Sequence, residues 1–339
     1  MRRGVLRAGL AALLFGASTP FAAQLARDVN PFTLAGLLYL GAALAVLPGA
    51  VSRRPDPAAL RRGAPRLALA VVVGGAAGPV LLALGLQHAS AANASLLLNL
   101  ELVFTVVLAS VVFREHIGPR VAAGTLLVGA ASLVLAGPGA TDGLRLGALL
   151  IAAACVCWAI DNSVTAELDE LAPVHITFAK GLVAGTANTV IGLTAAPAPT
   201  AGVVGAALLI GALGYGLSIT LWVAGARDLG AARAQVVFAT APFLGAVVAW
   251  TVLREPVRMP TVVALLLAAV GVALVSRSDH AHEHRHEATV HDHEHTHDDG
   301  HHDHVHADGF TGRHQHPHGH GAVRHSHPHV PDLHHRHVH

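Results

Sequence analysis

The chain has 339 residues, 53% of them hydrophobic and 13% charged, with a formal net charge of +1 and a mean hydropathy of +0.53. A soluble domain carries about 25% charged residues, so this chain cannot cover its apolar surface with charge. About half of the charge and nearly all the histidine sit in residues 51–66 and 277–339, which leaves the remainder strongly apolar and, lacking a basic patch with interleaved aromatics, excludes a nucleic-acid partner.

The opening MRRGVLRAGLAALLFGASTPFAAQLA has the ingredients of a leader peptide: Arg2, Arg3 and Arg7, an apolar core, and small residues at Ala22 and Ala23. A similar pattern returns at CVCWAIDNSVTAEL in the second half, where no leader belongs. The opening is therefore read as the first transmembrane helix. A bilayer core about 30 Å thick needs roughly 20 apolar residues at a helical rise. Ten runs fit: 5–25, 32–50, 67–86, 91–113, 120–137, 145–163, 174–195, 204–224, 233–253 and 259–276. The weakest breaks are 87–90, which has no intervening charge, and 195–200, marked by Pro197 and Pro199.

Arginine placement orients the spans. With the amino terminus inside, the inner segments before the tail hold Arg2, Arg3, Arg7, Arg53, Arg54, Arg61, Arg62, Arg66, Arg114, Arg120, Arg227 and Arg233; the outer ones hold Arg27, Arg145, Arg254 and Arg258. The expected protein is a multi-pass protein of the inner (plasma) membrane with both termini cytoplasmic.

An offset of 140 residues aligns Gly85 to Glu115 with Gly225 to Glu255 without a gap, and nine of the 31 positions are identical. The shared Arg-Glu pairs, Arg114/Glu115 and Arg254/Glu255, fall at the same end of the same span, where charge in a membrane protein is scarce and costly to place. Five spans per copy is an odd number, so the copies must run in opposite senses. The expected fold is an all-α membrane protein of ten transmembrane helices in two inverted five-helix repeats, 1–138 and 139–277, followed by a disordered histidine-rich tail, 278–339.

The charged turns FREHIG and LREPVR, the small-residue entries GLQHASAANASLL and GARDLGAARAQVV, and the segments WAIDN and FAKGLVAGTAN resemble the EamA-type branch of the drug/metabolite transporter superfamily. The resemblance covers about residues 5–276. It implies ten helices, alternating access and movement of a small solute, and it does not reach the tail. One departure is Leu102, where a subgroup of that branch carries proline; Pro242 keeps it in the second copy.

An ionisable group near the bilayer centre costs several kcal/mol unless paired or hydrated, which singles out Glu101, Asp161 and Lys180, accompanied by Asn99, Asn162 and Asn188. Glu101 reads either as a proton- or cation-coupling carboxylate facing a cavity or as a group hydrogen-bonded to a neighbouring helix. Asp161 and Lys180 fall in the inner third of adjacent helices and read as an ion pair, lining a vestibule or only joining the helices. Pro20, Pro79 and Pro242 can kink or break their spans, and the glycine runs allow close helix packing. Cys155 and Cys157 point about 200° apart on a helix, so they read as packing residues.

After Arg277 the composition changes: 23 of the 26 histidines lie in the last 62 residues. His280, His282, His284, His286, His291, His293, His295, His297, His301, His302, His304 and His306 alternate with acids such as Asp292, Glu294 and Asp303. Imidazole suits Zn, Ni, Co and Cu, and carboxylates complete a coordination shell. No cofactor is required; a divalent metal is expected on the tail, in several loose sites, with a pH-responsive segment as the competing use. The expected partners are the lipid bilayer and a small-molecule or metal solute, with a homodimer admissible. No nucleophile and base at useful spacing, phosphate-binding loop or HExxH occurs, so an enzyme is not expected. The leading function is a secondary exporter of a small solute, possessing a metal-binding tail. The alternatives are a metabolite or amino-acid exporter whose tail is a buffer, and a non-transporting membrane metal sensor.

Overall fold

The computed structural model describes residues 2–52, 55–112, 117–137, 140–168, 170–229, 231–276, 280–286, 289–295, 314–320 and 323–329, the last four segments by their backbone alone. Among the described residues, ten helices are long and apolar enough to cross a membrane: α1 Arg3–Ala26, α2 Pro31–Ser52, α3 Pro57–Leu86, α4 Ala91–Val112, α5 Pro119–Ala136, α6 Asp142–Thr165, α7 Pro173–Ala195, α8 Ala201–Leu229, α9 Ala234–Thr251 and α10 Met259–Ser276. Large apolar side chains stand on their outer faces, Leu126 at 74% exposed, Leu133 at 71% and Leu149 at 69%. A belt of that kind is stable only against lipid, and the chain is a multi-pass membrane protein.

Helix α3 starts well before the apolar run expected from residue 67. Pro57 occupies its first turn, the Asp56 side chain accepts from Ala58 N at 3.0 Å, and the added turns carry Arg61, Arg62 and Arg66. A search for hydrocarbon finds only the part of a helix that lies in lipid; a capped, basic extension escapes it. Helix α8 likewise continues past the expected residue 224 to Leu229.

Four helices depart from regular α winding, in pairs. A π stretch occupies Ala70–Ala77 of α3 and another Ala212–Leu217 of α8. Helix α4 is interrupted at Leu98 and Asn99, and α9 at Ala239 and Thr240. At the 140-residue offset each departure overlaps its counterpart to within two residues. Both interruptions are tightened turns: Asn99 N donates to Leu96 O at 3.1 Å and Glu101 N to Leu98 O at 3.1 Å, while Thr240 N donates to Val237 O at 3.2 Å and Phe243 N to Thr240 O at 3.2 Å. The first copy breaks although Leu102 stands where the second has Pro242, so the proline is not what the break requires.

Packing follows the same correspondence. Helix α2 lies along α7, α5 along α10, and α4 crosses α9, while α1 packs on α8 and α9 as α6 packs on α3 and α4. Small residues let the backbones meet: a Cβ on Gly124 would lie 2.5 Å from Gly271 O, and one on Gly271 2.6 Å from Gly124 O.

Residues 279–330 of the tail form a separate unit. Its backbone pairs β1 His280–His286 antiparallel with β4 Val323–His329, and β2 Thr289–His295 antiparallel with β3 His314–His320. Alternation of histidine with other polar residues has the strand period of two. A two-stranded ribbon alone is marginal in water. The histidine side chains, and His297, His301, His302, His304 and His306 altogether, lie outside the described residues.

Candidate functional site

A cavity of about 60 Å³ lies among α1, α2, α4, α6, α7, α8 and α9, and its walls include Glu101, Asp161, Asn162 and Lys180. Asp161 and Lys180 form an ion pair through Oδ2 and Nζ, each side chain 4% exposed. Burying two charges is costly, and the Coulombic gain offsets it only when geometry and the remaining hydrogen bonds are good. The second oxygen of Asp161 accepts from Thr165 Oγ1 at 3.2 Å. Helix α3 presses on this pair at Gly74, where a Cβ would collide with the Asp161 carboxyl group.

Glu101 is buried and faces amides instead of a cation. Its Oε1 accepts from Asn162 Nδ2 at 2.7 Å and from Gln235 Nε2 at 3.2 Å. Three helices thus meet at one carboxyl group: α4, which carries it just after its break, α6 and α9.

Much of the remaining wall is aromatic. Phe15 lies 5.4 Å from Phe238 and meets Tyr215 at 5.7 Å and Trp158 at 6.1 Å edge to face, and Tyr39 lies 5.6 Å from Tyr215, all centroid to centroid. Two rings are held by the π stretch of α3. Gly78 N donates five residues back to Val73 O, so in that register Gly74 O would pair with residue 79, which is proline and has no N–H. Gly74 O accepts instead from Tyr39 Oη at 2.9 Å and Trp158 Nε1 at 3.2 Å.

Of the residues singled out in the sequence, Glu101, Asp161, Asn162 and Lys180 come together on the 60 Å³ cavity. Asn99 lines an adjacent pocket of about 10 Å³ at the helix breaks. Asn188 lines neither; its Nδ2 donates to Ala76 O at 3.2 Å, another carbonyl of the π stretch. Cys155 is buried and Cys157 partly buried, both free thiols. Among the described residues no cluster of three or more His, Cys, Asp or Glu is placed to hold a metal ion.

Sequence reasoning missed Tyr39, Trp158, Tyr215, Trp222 and Gln235. Rarity was the usable signal: the chain has two tyrosines and three tryptophans, and both tyrosines and two of the tryptophans line the cavity. Rings with a polar edge are the natural wall for a space that is apolar but must meet polar groups.

The second charged turn serves a different purpose. Glu255 accepts from Ala91 N at 2.8 Å and Ala92 N at 2.9 Å, capping α4. Arg254 adopts φ 55°, a left-handed conformation that turns the chain back toward that helix end. Arg114 and Glu115 lie outside the described residues.

Among the described residues, ten membrane-spanning helices around a largely apolar cavity that holds buried charged groups define a polytopic membrane protein of the transporter class. The chain matches the EamA-like transporter family over residues 2–137 and again over 145–277, and it belongs to that family. It is also 28% identical over 209 residues to a protein of Methanothermobacter thermautotrophicus named as an uncharacterized transporter, an alignment spanning 58% of this chain and 60% of that protein. A crystal structure of another protein superposes with a TM-score of 0.62 at 18% identity, covering 81% of this chain and 98% of the other, which shows a shared fold. The two matches leave residues 138–144 between them.

Proposed function

We propose that the protein is a secondary exporter of a small solute, working by alternating access between two five-helix repeats, 1–138 and 139–277, inserted in opposite senses in the inner (plasma) membrane with both termini cytoplasmic. The observation that supports it best is the cavity lined by Glu101 and the buried Asp161–Lys180 pair, bounded by helices from both halves of the chain. Charges this expensive to bury mark solute paths in membrane proteins. The pairwise correspondence of the π stretches and helix breaks supports inverted repeats.

The cavity's aromatic rings, hydroxyls, amides, one ammonium and carboxylates match a small organic molecule bearing charge, such as an amino-acid-like metabolite, better than a bare soft metal, which prefers thiolate and imidazole. In this reading the tail, residues 278–339, binds Zn, Ni, Co or Cu in the cytoplasm and links export to metal status. Deleting the gene and challenging the cells discriminates the uses: hypersensitivity to Ni, Zn, Co or Cu that truncation at residue 277 reproduces favours a metal-linked exporter, and accumulation of a metabolite with unchanged metal tolerance favours a tail that only buffers. Reconstituted protein that moves no solute with an intact body would leave the membrane sensor. Reporter fusions placing the carboxyl terminus outside would overturn the topology.

A further inference from the structure

The two helix breaks meet at a second, smaller space. A pocket of about 10 Å³ lies between the turn of α4 at Leu98 and Asn99 and the turn of α9 at Ala239, with Glu101 and Gln235 on its walls. That volume holds about one water-sized particle. Its polar atoms are unusual. Asn99 is 2% exposed and Gln235 8%, and Asn99 Oδ1 and Gln235 Oε1 are buried without a hydrogen-bond partner, although the amide nitrogens of the same side chains are used, Asn99 Nδ2 on Leu96 O at 3.2 Å and Gln235 Nε2 on Glu101 Oε1 at 3.2 Å. Each amide therefore directs a donor to the protein and keeps an oxygen bare. Glu101 also receives its two described bonds on Oε1.

We propose that this pocket binds one monovalent metal cation of about sodium's size, held by the Glu101 carboxylate, Asn99 Oδ1 and Gln235 Oε1. Buried acceptors without donors are rare and costly, and a hard cation satisfies several oxygens at once. A proton on Glu101 supplies a single O–H and serves only one acceptor. One carboxylate neutralises one positive charge; a divalent ion would leave a net charge in the membrane interior. The other charged side chains on the adjoining cavity, Asp161 and Lys180, compensate each other. Interruptions in two transmembrane helices are where membrane transporters can offer such oxygens. Glu101, Phe15 and Phe238 line both spaces, so the cation would sit against the wall of the solute cavity. Its use in coupling rests on the transporter reading; its binding does not.

The test uses the purified full chain in detergent, with ²²Na⁺ binding and the thermal-unfolding midpoint followed in NaCl against choline chloride at equal ionic strength. Saturable binding of about one Na⁺ per chain is expected, with a midpoint that climbs with Na⁺ and not with choline. Glu101→Gln should abolish both responses, and Gln235→Met, which keeps the bulk and removes the oxygen, should weaken binding about tenfold or more. Asp142→Asn, which removes an exposed carboxylate elsewhere, should bind as the parent does. Absence of Na⁺-specific binding, or Glu101→Gln and Gln235→Met both binding like the parent, overturns the site and leaves only an ordered water there. If Glu101→Gln does not fold, Gln235→Met decides. Solute flux without Na⁺ binding sinks this inference alone, whereas Na⁺ binding without any solute flux sinks the transport reading.

Discussion

Removing the Lys180 ammonium group would leave the Asp161 carboxylate buried with only Thr165 Oγ1 beside it. Breaking such a pair from one side costs about 3–5 kcal/mol, whereas replacing both members by apolar groups is close to neutral. Lys180→Met is therefore expected to lower the unfolding midpoint in detergent sharply, and Lys180→Met with Asp161→Leu to recover most of the loss. A single variant as stable as the parent would mean the two groups do not depend on each other. The scarcity of charge in the spans made these residues legible in the sequence, since each had to be accounted for. The amide partners of Glu101 were not: Gln235 comes from another helix, and one-dimensional spacing does not tell which of many polar residues faces inward.

At the level of helices, Glu255 and the glycine contacts set separate limits. Glu255 satisfies two backbone donors at the start of α4, so Glu255→Ala is expected to cost about 1 kcal/mol, as loss of a cap does elsewhere, read as a lower unfolding midpoint. Gly124 meets the backbone of Gly271, whereas a Cβ on Gly129 of the same helix would meet nothing within 4 Å. Gly124→Val should therefore loosen α5 from α10 and lower the midpoint, and Gly129→Val should leave it unchanged; equal effects from the two would refute the contact. Ten apolar runs were countable because hydrocarbon thickness fixes their length. The basic start of α3 and the π stretches were not, because a helix that outlasts the bilayer looks polar there, and winding leaves no mark in composition.

Across the whole molecule the membrane body, described through Ser276, and residues 279–330 of the histidine-rich tail form separate units. A chain ending at residue 277 is expected to keep the unfolding midpoint of the parent and to lose Zn²⁺ uptake measured by equilibrium dialysis; a truncated body that fails to fold would contradict this separation. The body's organisation was readable because duplication repeats scarce features, such as Arg-Glu at the end of a span. The cavity's wall was not, since Phe15, Tyr39, Trp158 and Tyr215 come from four helices and meet only after packing.

The bond from Trp158 to Gly74 O exists because Pro79 offers no N–H to that carbonyl and the surrounding turn is wound wide. Rewinding this stretch of α3 to ordinary pitch would pass the oxygen to Gly78 N and strip the indole of its acceptor. With three tryptophans in the chain, fluorescence from Trp158 alone, after the other two are changed to phenylalanine, becomes an optical gauge of that turn. A blue-shifted emission on adding solute or Na⁺ would register the rewinding as it happens.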